Sequence, residues 1–256
     1  MDIRLLGAHN CESADSKCIS LLIDDVLVID AGGLTSSLSF AAQQAIRAVL
    51  LTHRHFDHVR DIPALGMNLA LREKTLKIYG PADVYEALAT RLLDGRLYRK
   101  FLEQPQEEPT FNFSVMTPGE TEQIAGYRVL AVPVNHIVPA VGYQVTAADD
   151  KAVFYTSDSG PGLKDCWRAI APQLLITEVT VPNSYGEFAR MKGHLTPELL
   201  RQELAGFREV RGYLPPVVAV HMTPWLEEEI VAEIAVVAGE LDSPVTPGYE
   251  GMRLRL

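Results

Sequence analysis

The sequence predicts an α/β protein in which strands and helices alternate along the chain. Six short apolar runs, rich in β-branched residues, have the length and composition of strands. They cover residues 26–29, 48–51, 127–132, 152–155, 174–176 and 217–220. Polar residues follow several of these runs directly, and α/β folds expose such residues in a crevice at the strand ends. We therefore expect the functional residues at the carboxyl ends of the strands.

Four segments between and after these strands have helical patterns, at residues 62–71, 82–93, 197–207 and 226–241. Thr196 and Pro197 signal the start of the third helix, because a threonine hydroxyl accepts a free backbone N–H and proline has no N–H to leave unpaired. In the fourth helix, apolar residues recur at helical spacing, at Leu226, Ile230, Ile234 and Val237.

The composition predicts one domain over residues 1–256, since no repeat, low-complexity tract or flexible linker interrupts the chain. The chain has 23 Lys+Arg and 33 Asp+Glu, which gives a formal net charge of −10. Such a charge argues against a protein that binds long nucleic acid or an anionic membrane through its surface field. An anionic substrate would need a local positive centre, such as a bound metal.

The sequence also favours a cytoplasmic protein without a membrane partner. No run of about 18 apolar residues occurs, and the N-terminus lacks a basic segment followed by an apolar one. Cys11, Cys18 and Cys166 are odd in number and form no metal-binding pair, which disfavours a disulfide framework. We expect these cysteines to be packing residues rather than nucleophiles.

Four potential metal ligands, His53, His55, Asp57 and His58, follow the apolar run that ends at Leu51. Such a cluster would repel itself if it were charged and would be costly to bury if it were neutral and unpaired. Imidazole and carboxylate without thiolate favour Zn²⁺, ahead of Mn²⁺ or Fe²⁺. Alternation of side chains would let the first two residues face one ion while the last two face a second.

Three further polar residues, His136, Asp158 and His221, each come directly after a predicted strand. A single residue of this kind is more often part of a loop than a ligand. Together with the histidine cluster, however, they complete two sites of three or four ligands each.

This ordered set resembles that of the metallo-β-lactamase-fold hydrolases over essentially the whole chain. The motif is His53-x-His55-x-Asp57-His58, followed by His136, Asp158 and His221. The resemblance implies a four-layer αββα sandwich with a dinuclear metal site, hence two divalent ions, in the crevice at the sheet edge. It also implies that His53, His55 and His136 hold one metal, that Asp57, His58 and His221 hold the other, and that Asp158 bridges them.

The segment Asp30-Ala31-Gly32 resembles the early Asp-x-Gly segment of the same family. Asp30 is then either a supporting residue near the ligand loop or a plain turn carboxylate. Asp61 stands where the family often has glycine, and it either adds a carboxylate near the metals or is an acid at a helix start. His9 follows the first strand and receives no role.

The expected reaction is hydrolysis, because two metals about 3.5–4 Å apart can activate water and bind the oxygens of an ester. Redox members of the fold replace the second histidine by a carboxylate, and His55 disfavours that branch. Asp57 would both ligate a metal and orient the nucleophile. Glu178 and the block Gly193-His194-Leu195-Thr196-Pro197 resemble phosphodiesterase branches, in which a glutamate orients a histidine beside the metals.

His194, held by Glu178, would then stabilise charge on phosphate or protonate the leaving alkoxide. The alternative is that His194 only precedes a helix cap. With Pro182-Asn183, the block most resembles the class II cyclic-nucleotide phosphodiesterases. The expected substrate is therefore a small phosphodiester, a 3′,5′-cyclic nucleotide such as cyclic AMP or cyclic GMP, hydrolysed to the 5′-nucleotide.

The first alternative is an RNase Z-like tRNA 3′-end-processing endonuclease, which Gly142-Tyr143 and the stretch 155–158 also resemble. That family usually inserts a tRNA-binding arm between the third-histidine motif and the bridging aspartate, and His136 and Asp158 are too close in sequence for one. Met222-Thr223-Pro224 also replaces the arginine-containing pattern that commonly follows the final histidine of that family. Long nucleic acid is therefore disfavoured as a partner.

Two more alternatives remain open. The same metal pair could hydrolyse a carboxylic ester, thioester or lactam, because the fold does not fix the substrate. A non-enzymatic metal-binding or interaction protein is the other, and a complete ligand set argues against it. The resemblance alone implies a homodimer.

Overall fold

Two seven-stranded sheets face each other in the computed structural model, which describes residues 1–72 and 74–256. The first sheet contains, in spatial order, β14 (Arg253–Arg255), β1 (Asp2–Gly7), β2 (Ser20–Ile23), β3 (Leu27–Ile29), β4 (Ala48–Leu50), β5 (Leu76–Gly80) and β6 (Phe111–Val115). The second contains β13 (Val245–Pro247), β12 (Val217–Val220), β11 (Leu174–Glu178), β10 (Ala152–Tyr155), β9 (Val141–Thr146), β8 (Tyr127–Pro133) and β7 (Thr121–Ile124).

Helices cover the outer face of each sheet. On the first sheet they are α1 (Leu34–Ser37), α2 (Phe40–Ala45), α3 (Phe56–Val59), α4 (Ile62–Ala70) and α5 (Ala82–Ala87). The chain that forms the second sheet carries α6 (Lys164–Ala169), α7 (Gly186–Lys192), α8 (Pro197–Arg211) and α9 (Glu227–Leu241). Of the helices in the described ranges, none is both long and apolar enough to cross a bilayer.

Three buried apolar clusters correspond to the three interfaces between four layers. The inner cluster joins the sheets and includes Leu50 from the first and Tyr143 from the second. One outer cluster packs Phe207 of α8 and Ile230 of α9 on the second sheet. The other packs Leu65 of α4 on the first sheet, together with neighbours from β3 to β6. The predicted four-layer αββα sandwich is confirmed.

All six predicted strands and all four predicted helices are present; β10 and β12 have the predicted ends, and the others are shifted at one end or both. The predicted cap also forms: the Thr196 hydroxyl accepts a hydrogen bond from the Leu199 N–H at 3.3 Å. α8 runs past the predicted end to Arg211, where Gly212 with φ +77° ends it. The helix predicted over 82–93 changes instead to a π-helical turn at Leu88–Leu92.

The carboxyl ends of the parallel strands of both sheets meet at one edge. In the first sheet β3, β4, β5 and β6 are parallel, and in the second β10, β11, β12 and β13 are parallel. The Tyr143 hydroxyl donates to the Leu51 carbonyl at 2.9 Å, and the Val141 N–H donates to the Thr52 carbonyl at 3.2 Å. These bonds join β9 to the chain just after β4, and so hold the two sets of strand ends together.

Candidate metal centre

Two four-membered groups of potential ligand atoms lie at this edge, and a third group joins Glu178, His194 and His221. The first group is His53, His55, His136 and Asp158, whose ligand atoms all lie within 4.8 Å of one another. Nε2 of His136 lies 3.2 Å from Nδ1 of His55, and Nε2 of His53 lies 3.6 Å from Oδ2 of Asp158. The first two histidines follow β4, whereas His136 follows β8, so both sheets contribute to this group.

The second group is Asp57, His58, Asp158 and His221. Nε2 of His221 lies 3.1 Å from Oδ2 of Asp57 and 3.2 Å from Oδ1 of Asp158, and Nε2 of His58 lies 3.1 Å from the same Oδ1. Asp158 therefore turns Oδ2 toward the first group and Oδ1 toward the second. This is the geometry of a carboxylate that can bridge two cations.

Buried atoms without hydrogen-bond partners show that these residues fit metal ions. Nε2 of His53, Nε2 of His58 and Oδ1 of Asp158 are buried, and none has a hydrogen-bond partner in the described residues. Orphaned buried atoms of this kind are costly, and a cation coordinated by all of them would remove the cost. Imidazole nitrogens and carboxylate oxygens are the donor set of Zn²⁺, Mn²⁺ and Fe²⁺ sites.

The electrostatics of the groups agree with this fit. Burial, and then the neighbouring charge of His58, hold the pKa of His53 well below its ordinary value, so its ring is neutral and has one unprotonated nitrogen to offer a cation. Burial opposes the charge of Asp158, but His221 and His58 hold its pKa well below the usual range, so the carboxylate is ionised. Burial also opposes charge on His58, yet Asp158, Asp30 and Asp57 raise its pKa well above the ordinary value. The negative charge collected here is what divalent cations would neutralise.

Asp30 orients the ligands of the first sheet. Its Oδ2 accepts from Nδ1 of the His58 ring at 2.7 Å, and its carboxylate also accepts the Thr52 N–H at 2.9 Å and the Thr52 hydroxyl at 2.9 and 3.0 Å. Oγ1 of Thr52 in turn lies 3.1 Å from Nδ1 of His53. Of the two alternatives for Asp30, the structure favours the supporting residue over the plain turn carboxylate.

Gly193 orients His136. Its carbonyl accepts from Nδ1 of His136 at 2.9 Å, so Nε2 of that ring faces the first group. Gly193 ends α7 with φ +68°, and a Cβ at this position would lie 2.9 Å from Cα of His136. Glycine is therefore required here for both the left-handed turn and the close approach.

Glu178 and His194 form a hydrogen-bonded pair beside the second group. Nδ1 of His194 donates to Oε1 of Glu178 at 2.7 Å, and the backbone N–H groups of Ser159 and Leu195 also donate to this carboxylate. Burial opposes charge on His194, but Glu178 raises its pKa to about 9. The His194 ring lies 5.1 Å from that of His136 and stacks at 5.7 Å on that of His221.

Three turns at this edge are left-handed at residues other than glycine. Asp30, Ser157 and His221 have φ +57°, +61° and +64° and follow β3, β10 and β12. Aspartate and histidine tolerate this conformation better than most residues, although each instance costs free energy. The cost is offset by the hydrogen bonds and packing that hold these side chains in the crevice.

The structure brings together every residue that the sequence singled out as a ligand or catalytic group, and their roles remain predictions. Asp61 lies elsewhere: its Oδ2 accepts from the Thr35 N–H at 2.6 Å and from the Thr35 hydroxyl at 2.8 Å. It belongs to neither ligand group, so of the two alternatives for Asp61 the second one holds. Asp61 is an acid at a helix start, one residue before α4. His9 also lies outside both groups, with Nδ1 2.6 Å from Oε1 of Glu250.

Sequence reasoning did not identify Thr52, Ser157 or Thr180. Oγ of Ser157 lies 3.3 Å from Nδ1 of His53, and Oγ1 of Thr180 lies 2.9 Å from Nδ1 of His221. The available signal was position, since each of these hydroxyls stands within two residues of a predicted ligand or of Glu178.

Comparisons with known proteins agree with this geometry. The Ribonuclease Z of Thermococcus kodakarensis is 31% identical over 136 residues, which cover 51% of this chain and 40% of that protein. The Ribonuclease Z of Pyrococcus abyssi is 35% identical over 113 residues, which cover 43% of this chain and 34% of that protein. The matched stretch thus spans less than half the length of these curated relatives.

The fold is shared with a solved structure of unliganded yeast PDE1, at a TM-score of 0.84 and 15% identity, over 100% of this chain and 99% of that one. The short form of human tRNase Z has a TM-score of 0.70 and 19% identity, over 100% and 99% of the two chains. A family model described as a beta-lactamase superfamily domain matches residues 27–222, a stretch that includes both ligand groups, Glu178 and His194. The chain belongs to the beta-lactamase superfamily and has the metallo-β-lactamase fold.

Proposed function

We propose that the protein is a dinuclear metal-dependent phosphodiesterase that hydrolyses a small phosphodiester, a 3′,5′-cyclic nucleotide, to the 5′-nucleotide. The Glu178–His194 pair is the observation that carries this proposal. Nδ1 of His194 lies 2.7 Å from Oε1 of Glu178, and the pair lies beside the two four-membered ligand groups without being needed to complete either of them. Phosphodiester hydrolysis needs both a site for phosphate and a proton for the leaving alkoxide. The two ligand groups would supply the first, and the pair supplies the second.

In this proposal His53, His55 and His136 hold one ion, Asp57, His58 and His221 hold the other, and Asp158 is shared. Bound divalent ions lower the pKa of water and neutralise charge on phosphate oxygens. Zn²⁺ is the ion that this donor set favours, ahead of Mn²⁺ and Fe²⁺. Asp57 would both ligate a metal and orient the attacking water.

His194 is the proposed acid. Glu178 accepts a hydrogen bond from Nδ1–H, so Nε2 is the nitrogen that can face a substrate oxygen. Because Glu178 raises the pKa of His194 to about 9, the ring holds its second proton at neutral pH and can donate it from Nε2 to the leaving alkoxide. The same N–H can stabilise charge on a non-bridging oxygen before the transfer.

Charge around the crevice favours a small substrate over a long one. Arg54, within the ligand loop, pairs with Asp83, and Arg60 pairs with Glu12. A polyanion gains most of its affinity from unpaired cations that replace its counterions, and these two arginines are already neutralised. The net charge of −10 acts in the same direction.

The chain between His136 and Asp158 supports the same choice. It is taken up by the strands β9 and β10 and their short connection, residues 147–151, with 137–140 leading into β9. These strands pair in register from Tyr143–Tyr155 to Thr146–Ala152. The connection of five residues, 147–151, contains no tRNA-binding arm.

A second candidate is an RNase Z-like tRNA 3′-end-processing endonuclease. The observation that favours it is the sequence similarity to the curated relatives named Ribonuclease Z, at 31% and 35% identity. The metal ligands and the Glu178–His194 pair would serve that reaction equally well, because it also cleaves a phosphodiester. The two candidates therefore differ in substrate recognition rather than in chemistry.

One assay separates the candidates. Zinc-loaded protein is incubated with cyclic AMP, cyclic GMP, bis(p-nitrophenyl) phosphate and a precursor tRNA. The proposal expects release of 5′-nucleotide from a cyclic nucleotide and no 3′-end cleavage of the tRNA. Cleavage of the tRNA alone would establish the second candidate, and failure to hydrolyse any phosphodiester would overturn the class.

Variants test the roles of the pair. Removing an acid of this kind costs about 100- to 10,000-fold in rate, so His194→Ala and Glu178→Gln should lose most turnover while keeping their metal. Glu187→Gln is the matched control, since Glu187 is an exposed residue of α7. An esterase or lactamase would keep its activity in His194→Ala, and loss of metal from this variant would contradict the assigned role.

A further inference from the structure

Thr180 is a buried residue that links the Glu178–His194 pair to the second ligand group. Its side chain is almost inaccessible, with a relative exposure of 4%. Oγ1 lies 2.7 Å from Oε2 of Glu178, 2.9 Å from Nδ1 of His221 and 3.2 Å from Nδ1 of His194. One hydroxyl thus touches the proposed acid, the carboxylate that orients it, and a predicted metal ligand.

Counting protons fixes the direction of these bonds. A threonine hydroxyl has one proton to donate and two lone pairs, while an ionised carboxylate can only accept. The Thr180 hydroxyl therefore donates its hydrogen bond to Glu178, and Oγ1 accepts a hydrogen bond from Nδ1–H of His221. Since Nδ1 of His221 carries the proton, its Nε2 presents a lone pair to the second group.

The remaining acceptor positions of Glu178 are occupied. Oε1 accepts from His194 and from the Ser159 N–H at 3.0 Å, and Oε2 accepts from Thr180 and from the Leu195 N–H at 3.1 Å. Four donors use the carboxylate fully. Glu178 is thereby committed to orienting its neighbours rather than to binding a cation itself.

The first sheet repeats the arrangement. Oγ1 of Thr52 donates to Asp30 and lies 3.1 Å from Nδ1 of His53, while Asp30 also accepts directly from His58 at 2.7 Å. Each sheet therefore carries a carboxylate that binds one imidazole directly and reaches a second through a threonine hydroxyl. In the second sheet one of the two imidazoles is His194, which lies outside the four-membered ligand groups.

We propose that Thr180 is a positioning residue with two linked effects. It fixes His221 in the tautomer whose Nε2 faces the second ligand group, and it holds the Glu178–His194 pair at a set distance from that group. The effect on His221 stands independently, whereas the effect on His194 rests on the proposed function. The backbone adds to the link, because the Thr180 N–H donates to the Leu195 carbonyl and the Thr223 N–H donates to the Thr180 carbonyl.

The test compares Thr180→Val, which removes the hydroxyl at nearly constant volume, with Thr180→Ser, which keeps it. Thr180→Ala is a second variant without the hydroxyl, in case the valine is not accommodated. Thr177→Val is the matched control, since Thr177 is also buried and belongs to β11 just before Glu178. Thermal unfolding of the metal-free proteins identifies any variant that fails to fold.

Two readouts use no substrate. Long-range ¹H–¹⁵N correlation of the imidazoles should show His221 protonated at Nδ1 in wild type and Thr180→Ser, and a mixture of tautomers in Thr180→Val. Competition with a zinc-binding dye measures the affinity for each of the two zinc equivalents. In Thr180→Val the affinity for one equivalent should fall about 10- to 100-fold while the affinity for the other is unchanged. In Thr180→Ser both affinities should be those of wild type. Wild-type zinc affinities and tautomer in both Thr180→Val and Thr180→Ala would overturn the inference.

A third readout addresses His194. If the phosphodiesterase activity is found, Thr180→Val and His194→Ala should combine non-additively in kcat, because the first acts through the second. Additive effects would remove the link to His194. If no phosphodiester is hydrolysed, the proposed function fails while the tautomer and zinc results still decide the effect on His221.

Discussion

Oδ2 of Asp30 lies 2.7 Å from Nδ1 of His58, and both side chains are fully buried. The carboxylate belongs to the turn after β3 and the histidine to α3, so this contact fixes a ligand across two neighbouring connections. A buried carboxylate that accepts an imidazole N–H sets both the ring orientation and the tautomer of a metal ligand. We therefore expect the contact to have a measurable effect on metal affinity.

Asp30→Asn should weaken zinc binding about 10- to 100-fold. An amide oxygen is a poorer acceptor for the imidazole N–H than a carboxylate, and the amide NH₂ would face the Thr52 and His58 groups that already donate to this position. Competitive zinc titration measures the change. Asp25→Asn is a matched control, since Asp25 is exposed and has nearly the same left-handed φ, +58° against +57°. Equal affinities in the two variants would show that Asp30 does not support the metal centre.

The shared carboxylate predicts a characteristic pattern of metal loss. Wild type should retain two zinc ions per chain after dialysis. His136→Ala should impair only the ion of the first group, whereas Asp158→Asn should impair both, because Asp158 faces each group with a different oxygen. Elemental analysis of dialysed protein measures this, with exposed Asp165→Asn as the control. If Asp158→Asn kept both ions, the bridging role would be wrong.

The three thiols should react at different rates. Burial raises the pKa of Cys18 to about 12 and moves the pKa of Cys166 well above its ordinary value, while Cys11 is only partly buried. Because the thiolate is the reactive form, we expect Cys11 to react first with a disulfide reagent at pH 8 and the other two only on unfolding. Rapid labelling of Cys166 in the native protein would contradict its placement in the core.

Stability should depend on pH through His9 and Glu250. Burial opposes charge on His9, but Glu250 and Glu227 raise its pKa above 6.5, so its contribution is present below pH 6.5 and is lost as the pH rises through the folded value. Burial opposes charge on Glu250 too, but His9 lowers its pKa below 4.5, so its contribution is present above pH 4.5 and is lost as the pH falls through the folded value.

His9→Gln should therefore destabilise the protein most between about pH 4.5 and 6.5 and less at pH 9. Urea unfolding of wild type and variant at pH 5.5 and pH 9 measures the difference. Because His9 lies outside both ligand groups, the unfolding measurements can use the metal-free forms of wild type and variant. A destabilisation that is the same at the two pH values would show that the ion pair does not contribute.

The sequence could single out the residues of the two ligand groups because their chemistry is unusual and their position regular, and their roles as ligands remain predictions. His136, Asp158 and His221 each follow a strand, and the strand ends meet at one edge for reasons of topology alone. β14 was not assigned, because Arg253–Arg255 is not an apolar run and its partner β1 lies at the other end of the sequence.

Thr180 and Asp61 show what sequence reasoning could not reach. A threonine two residues after Glu178 is unremarkable until the fold brings His221 against it, 41 positions later. Asp61 stands close to the ligand motif, yet it turns to Thr35, 26 positions earlier. In both cases the role is set by a long-range contact, and local patterns do not contain that information.

Apart from β14, which returns to the first sheet, the two sheets divide the chain at residues 116–120, between β6 and β7. Each ligand group takes two members from before this point and two from after it: His53 and His55 with His136 and Asp158, and Asp57 and His58 with Asp158 and His221. Each ion would therefore be coordinated by residues from both sides of this turn and would hold the two halves of the chain together. We expect fragments cut at this exposed turn to reassemble more tightly with zinc and to separate under a chelator, which would make the protein a zinc-controlled split reporter.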